Sequence, residues 1–212
     1  MPDDRSGPLA GVKVMDLTHQ LAGPACTLML ADMGADVIKI EKLPDGEDTR
    51  KRTEPYNSAG VSAPFLMVNR NKRSIGLDLK SEGGRGVLSR LLEGADVLVE
   101  NYRRGVMERL GFGFDAVHAA YPRLVYCALS GFGRTGPYAD RGGFDLIAQG
   151  MSGLMSITGE GPGRPPIKVG APVTDITAGI LGAMGILAAL QHRNRTGEGQ
   201  MVDSSLFEAG VI

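Results

Sequence analysis

Short apolar runs alternate with segments of helical spacing along the first 130 residues. The apolar runs predict strands at 12–17, 36–41, 74–79, 97–100 and 124–129, and the segments between them predict helices at 23–34, 81–95 and 114–121. Strands alternating with helices of 10–15 residues are typical of βαβ units, whose parallel strands are buried on both faces. The pattern therefore predicts an α/β fold with a Rossmann-like parallel sheet and flanking helices.

Beyond residue 130 the pattern becomes one of glycine-rich loops and longer apolar helices. We expect helices at 145–157 and 175–191, each preceded by a Gly/Pro-rich loop, and a last strand at 201–206. The polar stretch 43–63 carries most of the remaining turn residues and predicts a long loop.

Composition and charge narrow the class of protein. The 212 residues are 42% hydrophobic, which is enough for a packed core, and 23 Lys+Arg balance 24 Asp+Glu. This balance argues against a nucleic-acid binder, which usually carries excess positive charge. The longest apolar run, 176–190, is shorter than the ~20 residues needed to span a bilayer, so we expect no membrane segment. Two cysteines in apolar segments and a polar start without a signal-peptide pattern predict a cytoplasmic protein.

The sequence contains 31 glycines, which is an unusually high number, and some of them form a known ligand-binding motif. Residues 131–136 read GFGRTG directly after a predicted strand, which matches the dinucleotide-binding pattern G-x-G-x-x-G. Pro137 follows at once, however, so no helix opens there to receive a pyrophosphate. We therefore expect no NAD or flavin, and interpret the segment as a ligand loop at the carboxyl edge of the sheet.

Residues 69–74, NRNKRS, place three cations before a strand. Such a run is most often a solvated basic loop. The alternative is a site for a small polyanionic ligand, to which Lys39, Lys42 and Lys80 near other strand ends would contribute.

Asp175 stands at the start of the longest apolar segment, and two roles are open for it. Asp175 or Thr174 could serve only as an N-cap of the helix. Alternatively, an Asp175 carboxylate kept ionised by the helix N-terminus would be a competent nucleophile toward an activated acyl group. The three histidines show no metal-ligand spacing, so we expect no metal.

Several segments in order resemble the class III CoA-transferase family, which includes formyl-CoA, carnitine and bile-acid CoA-transferases and 2-methylacyl-CoA racemases. The similarity runs from about residue 9 to the end of the chain, and the matching segments are LAGVKVMDLT (9–18), GADVIKIE (34–41), NRNKRSI (69–75), ADVLVENY (95–102), SGFG (130–133) and RTGEGQ (195–200).

The resemblance implies transfer of coenzyme A from an acyl-CoA to a carboxylic acid, with CoA as a substrate and neither metal nor ATP required. It implies that Asp175 is the nucleophile, through an aspartyl anhydride and an aspartyl-CoA thioester. The positions that match the family's CoA contacts are Gln20, Ala22, Lys42, Leu77, Asp78, Lys80, Asn101, Arg109, Phe144 and Asp145.

The resemblance also implies a homodimer of interlocked chains and chains about twice this length. We therefore expect residues 1–212 to be the N-terminal part of the large domain, without the family's small domain and C-terminal return segment. Two alternatives stay open. One is a racemase or epimerase, disfavoured because Phe144 stands where racemases carry a histidine. The other is a CoA-binding fragment that needs a partner polypeptide.

Overall fold

A computed structural model describes residues 6–51 and 54–212 and shows a three-layer α/β/α fold. The polar start of the chain, residues 1–5, and residues 52–53 of the predicted long loop lie outside the described residues. Six parallel strands form one sheet: β1 Lys13–Asp16, β2 Asp36–Lys42, β3 Arg73–Leu77, β4 Val97–Glu100, β5 Val125–Ser130 and β6 Met201–Ser205.

The strand order is β3-β2-β1-β4-β5-β6, with every neighbouring pair parallel. This is the order of the doubly wound dinucleotide-binding fold, and it confirms the predicted α/β class. The order reverses between β1 and β4, which leaves a crevice beyond the carboxyl ends of these two strands.

The helices that accompany the sheet are α1 Ala22–Asp32, α2 Ala63–Asn69, α3 Glu82–Leu92, α4 Val106–Leu110, α5 Phe114–Ala120, α6 Asp145–Met151, α7 Leu154–Ile157, α8 Val173–Thr196 and α9 Leu206–Val211. A short 3-10 helix, Asp48–Lys51, lies inside the predicted long loop. The helices α2, α4 and α9, each of five to seven residues, were not predicted.

Alternate strand residues enter two cores, as expected for a sheet covered on both faces. Val14, Val97 and Val99 pack with the residues of α1 and α8, whereas Met15 and Leu98 pack on the other face with the residues of α3, α4 and α5. All five of these side chains are at most 1% exposed. The period-2 alternation therefore builds both layers from the same strands.

Two predicted helices differ from the observed ones. The segment 145–157 is split into α6 and α7, because Gly153 adopts a left-handed φ of 87° between them. The helix predicted at 175–191 is extended in both directions, to Val173–Thr196, and ends on Gly197 in the left-handed conformation. The predicted strand at 201–206 loses its last residue, Leu206, to α9.

Helix α8 is the central helix of one layer. In the described part of the chain it is the one helix that is long and apolar enough, by length and composition alone, to cross a membrane, and 44% of its most apolar stretch is buried within the fold. It lies directly on α1, since a Cβ added to Gly179 would stand 2.8 Å from the carbonyl oxygen of Ala22. This close approach fixes the N-terminal part of α8 against the first turn of α1.

Candidate active site

Two adjoining cavities occupy the crevice at the carboxyl edge of the sheet. The first, of about 480 Å³, lies beyond β2 and β3 and is called the β2–β3 cavity. The second, of about 680 Å³, lies beyond β4 and β5, contains Asp175 and is called the Asp175 cavity. The two share His19, Gln20, Tyr102 and Val106 in their walls, so they form one continuous cleft.

The β2–β3 cavity combines an apolar floor with cationic edges. Ile40, Leu43 and Leu77 supply apolar surface, and Lys42 and Lys80 stand among its lining residues. Lys42 is paired with the carboxylate of Asp48 on an exposed surface. Gln20, Lys42, Leu77, Asp78 and Lys80, which were five of the predicted contact residues, all line this cavity.

The Asp175 cavity collects most of the remaining predicted residues. Gln20, Ala22, Asn101, Phe144, Asp145 and Asp175 line it. Arg109 does not line either cavity; it lies exposed on α4, on the side near Gly105. The fold thus brings together ten of the eleven predicted residues in one cleft.

The loop between β1 and α1 forms the strip shared by both cavities, and it is held from two sides. Asn101 accepts a hydrogen bond from the backbone N–H of His19 at 2.9 Å and donates one to the carbonyl oxygen of His19 at 2.7 Å. Gln20 adopts a left-handed φ of 68°, and its N–H donates to Oε1 of Glu47 at 2.8 Å. These bonds fix a backbone conformation that a non-glycine residue rarely adopts.

A buried charge network lies beneath this loop. Lys39 and Glu47 form an ion pair of 2.7 Å with side chains only 2% and 3% exposed. Lys72 pairs with Asp16 at 3.0 Å. Burial alone would raise the pKa of Asp16, but Lys72 and Lys39 hold it well below its usual range. Two buried ion pairs, Lys39–Glu47 and Lys72–Asp16, therefore lie at the carboxyl end of β1.

The two interpretations of the basic segment 69–74 have different outcomes. Arg70 pairs with Asp32, Lys72 with Asp16, and Arg73 with Asp36. None of these three cations lines either cavity, so the segment itself contributes no anion ligand to the cleft. The interpretation as a solvated basic loop agrees with the exposed Arg70 and Arg73 and is wrong for the buried Lys72. Among the cations grouped with this segment, Lys39, Lys42 and Lys80 line the β2–β3 cavity, but Lys39 is buried in its ion pair with Glu47.

Asp175 lies in the first turn of α8, but its carboxylate does not cap the helix. Neither Asp175 nor Thr174 is the N-cap; Pro172 holds that position without a side-chain bond. The cap comes from Asp145 on α6, which accepts hydrogen bonds from the N–H of Thr174 at 2.8 Å and from that of Asp175 at 3.4 Å. The carboxylate of Asp175 is thereby left available to the cavity.

The electrostatics at Asp175 differ from the sequence-based expectation. Burial, and next the nearby Asp145 carboxylate, raise the pKa of Asp175 to about 6. Desolvation and a like charge therefore oppose ionisation, whereas the helix N-terminus was expected to favour it. The group is still mostly a carboxylate at neutral pH, and it is a more basic one than a solvated aspartate.

The comparisons with known proteins agree with this geometry. The family model "CoA-transferase family III" matches residues 9–212. The chain belongs to CoA-transferase family III.

This family III chain is similar to curated enzymes and to proteins of solved structure. The succinate–glutarate CoA-transferase of Agrobacterium fabrum is 46% identical over 98% of this chain and 53% of its own length. A CaiB/BaiF family protein from Brucella suis superposes with a TM-score of 0.93, at 44% identity, over 97% of this chain and 55% of that one. The D175A mutant of Rv3272 from Mycobacterium tuberculosis superposes with a TM-score of 0.88, at 34% identity, over 98% of this chain and 56% of that one. This family III chain spans about half the length of the curated relatives it matches.

The glycine segment 131–136 does not have the geometry of a dinucleotide-binding turn, because the next helix is α6, which begins only at Asp145. Gly131, Gly133 and Arg134 of this segment line the Asp175 cavity. The loop is packed against the Gly142–Gly143 turn, because a Cβ on Gly131 would lie 2.6 Å from the Cα of Gly143. Glycines are therefore required on both sides of this contact.

Five cationic residues of the cavity were missed from the sequence. The space that contains Asp175 is lined by Arg103, Arg104, Arg134, Arg141 and Lys168. They come from three different loops, and only the order of the strands brings these loops to one edge. Isolated basic residues in Gly/Pro-rich segments give no signal that would have separated them from ordinary surface charges.

His19 lies in the loop between β1 and α1 and lines both cavities of the cleft. Its ring packs edge-on against Tyr102 with centroids 4.5 Å apart. Burial, opposed next by the charge of Glu47, lowers the pKa of His19. Phe144, 67% exposed at the cavity wall, carries no group that exchanges protons. Among the described residues, no three His, Cys, Asp or Glu side chains form a group that could hold a metal ion.

Proposed function

We propose that this chain transfers coenzyme A from an acyl-CoA to a carboxylic acid, with Asp175 as the residue that accepts the acyl group. The observation that carries the proposal is the position of Asp175. It is a carboxylate in the first turn of a 24-residue helix, and it lines a cavity continuous with a second one suited to a nucleotide. Rv3272, crystallised as a D175A mutant, has been altered at an aspartate of the same number.

Coenzyme A would lie along the cleft with its nucleotide in the β2–β3 cavity and its thioester in the Asp175 cavity. The apolar floor of the β2–β3 cavity would receive the adenine ring, and Lys42 and Lys80 would face the phosphates. The pantetheine arm would then pass the shared strip at Gln20 and Tyr102 and present the thioester in the Asp175 cavity. Ligands of open α/β sheets bind at this type of crevice.

The proposed reaction proceeds by exchange of acyl bonds at Asp175. Its carboxylate attacks the thioester carbonyl; the C–S bond breaks, and a mixed anhydride and CoA thiolate result. The thiolate attacks the aspartyl carbonyl of the anhydride, which releases the first carboxylic acid and forms an aspartyl-CoA thioester. An acceptor carboxylate attacks this thioester and expels the thiolate, which then takes the new acyl group and regenerates Asp175. Each step conserves the energy of an activated acyl group.

The raised pKa of Asp175 suits the first of these steps. With a pKa of about 6 the group is ionised at pH 7 and more nucleophilic than a carboxylate of ordinary pKa. Partial burial also removes water that would otherwise solvate the attacking oxygen.

The relative from Agrobacterium fabrum is named for succinate and glutarate, which are short dicarboxylic acids. We propose the same class of acyl donor and acceptor here. The cationic wall of the Asp175 cavity supports this, because it offers partners for a second carboxylate.

We further propose a homodimer in a reducing, cytoplasmic setting. Exposed apolar side chains on α8, namely Ile176, Ile180 and Met184, follow each other at four-residue spacing on one helix face. Such a stripe favours association with a protein surface. Cys26 and Cys127 are buried and free. Light scattering after gel filtration tests the assembly, and Met184→Glu should shift a dimer toward monomer.

Hydroxylamine trapping tests the proposed role of Asp175. The protein is incubated with succinyl-CoA and hydroxylamine, digested, and searched by mass spectrometry for an aspartyl hydroxamate. We expect the modification at Asp175 and none in an Asp175→Asn variant. Asp115→Asn is the matched control, because Asp115 is an exposed aspartate in the first turn of α5, outside both cavities. Absence of the hydroxamate, or its presence only at other residues, contradicts the proposal.

A further inference from the structure

The wall of the Asp175 cavity holds three cations without a carboxylate partner in the described part of the chain. These are Arg103, Arg141 and Lys168. The other two arginines of the cavity are paired, Arg134 with Glu100 at 3.3 Å and Arg104 with Asp140 at 3.4 Å. The cavity therefore carries positive charge that its own residues do not neutralise.

Both arginines contact the loop between β5 and α6. The guanidinium of Arg141 lies 4.5 Å from the ring centroid of Tyr138. The guanidinium of Arg103 lies against Gly142, where an added Cβ would stand 3.3 Å from Nε and 3.4 Å from Nη2. Both groups thus flank the Gly142–Gly143 turn, which is itself fixed against Gly131. Arginines placed in advance lose less entropy when they bind an anion.

The nucleophile and the two arginines reach the cavity from different elements. Asp175 lies in the first turn of α8, Arg103 follows β4, and Arg141 lies in the loop between β5 and α6. The cavity therefore offers one ligand both a carboxylate and cations. This arrangement fits a ligand that carries a reactive acyl group and an anion.

On the basis of the proposed function, we propose that Arg103 and Arg141, with Lys168 beside them, bind the free carboxylate of a dicarboxylic acyl group whose thioester meets Asp175. They select dicarboxylic over monocarboxylic acyl groups. Lys168 is held by the weakest contacts of the three. Its ammonium donates long hydrogen bonds to the carbonyl oxygens of Val169, at 3.3 Å, and Gly170, at 3.4 Å.

The test compares two thioesters of equal chain length, succinyl-CoA and butyryl-CoA, which differ in the terminal carboxylate. Their Kd values are measured by calorimetry in an Asp175→Asn background, where acyl transfer to this residue is blocked. We expect succinyl-CoA to bind more tightly. Because a charge-assisted hydrogen bond is lost, Arg141→Gln and Arg103→Gln should each reduce the preference about tenfold or more. Arg104→Gln is the matched control, since Arg104 lines the same cavity but is paired with Asp140; it should leave the preference unchanged.

Two results would overturn the inference. One is a preference for succinyl-CoA that is absent, or unaffected by both substitutions. The other is an equal loss of affinity for both thioesters, which would mean that the arginines bind the phosphates of CoA. Neither result bears on hydroxamate formation at Asp175 in the wild-type protein, so failure of this inference and failure of the proposed function are distinguishable.

Discussion

The carboxylate of Asp145 caps the helix that carries Asp175. It lies 3.4 Å from the backbone nitrogen of Asp175 and 2.8 Å from that of Thr174, and its charge adds to burial in raising the pKa of Asp175 to about 6. One acidic side chain therefore both orients the proposed nucleophile and increases its basicity. Asp145 was a predicted CoA contact, and the structure gives it this second role.

Asp145→Asn should shift the pH dependence of Asp175 modification. Asparagine keeps an oxygen that accepts the helix N–H groups but removes the like charge, so the pKa of Asp175 should fall and modification should persist to lower pH. The measurement is the initial rate of hydroxamate formation against pH, with acyl-CoA saturating. A midpoint that stays in place or moves upward would show that Asp145 does not act through its charge.

Asp175→Asn should stabilise the fold at high pH. A carboxyl group whose folded-state pKa lies above its unfolded value favours folding only when protonated, so its contribution falls as pH rises from about 4 to 6 and the penalty persists above that range. Removing the charge should raise the free energy of unfolding by about 2 kcal/mol at pH 8 and by little at pH 4. Urea unfolding at both pH values checks this. An equal effect at the two pH values contradicts it.

Two cations of the segment 69–74 should differ strongly in their contribution to stability. Lys72→Met leaves Asp16, which is fully buried, with one fewer partner, and should cost about 3 kcal/mol or more. Arg70→Met breaks a largely exposed pair with Asp32 and should cost less than about 1 kcal/mol. Chemical denaturation of both variants at pH 7 gives the comparison, and similar costs would argue against the buried network.

Two glycine-to-alanine substitutions should change the free energy of unfolding in opposite directions. Gly179→Ala places a methyl group 2.8 Å from the carbonyl oxygen of Ala22 and 3.2 Å from the Cβ of Ala25, so α1 and α8 must separate, at a cost of about 1–3 kcal/mol. Gly86→Ala in α3 meets no atom within 4 Å and should stabilise by about 0.5–1 kcal/mol. Thermal unfolding of both variants shows whether each substitution lowers or raises the stability of the fold.

The strands and the fold class could be predicted because the inner strands, such as β4 and β5, are buried on both faces and so appear as apolar runs. The strand predicted at 97–100 coincides with β4, and the parallel order follows from the intervening helices. Of the helices with five to seven residues, α5 and α6 were predicted, whereas α2, α4 and α9 were not. Segments this short complete too few turns for periodicity alone to separate a helix from a loop.

The candidate site could be predicted only where family motifs carry it. Asp175 and most of the positions predicted to contact CoA lie in the cleft. The cap supplied by Asp145, the burial of Lys72 and the cationic wall around Arg141 depend on contacts between residues far apart in sequence, which periodicity and spacing do not encode. Arg109, carried over from the family pattern, lies on α4 outside both cavities.

Oxygen-18 transfer tests most directly whether Asp175 carries the acyl group. The protein is incubated with succinyl-CoA and succinate labelled with oxygen-18 in its carboxylates, and the peptide containing Asp175 is then analysed by mass spectrometry. If the acceptor attacks an aspartyl thioester and leaves through an anhydride, one labelled oxygen stays on the Asp175 carboxylate in each exchange. The account predicts oxygen-18 at Asp175. Exchange of CoA between succinyl-CoA and succinate with no label in that peptide would contradict it.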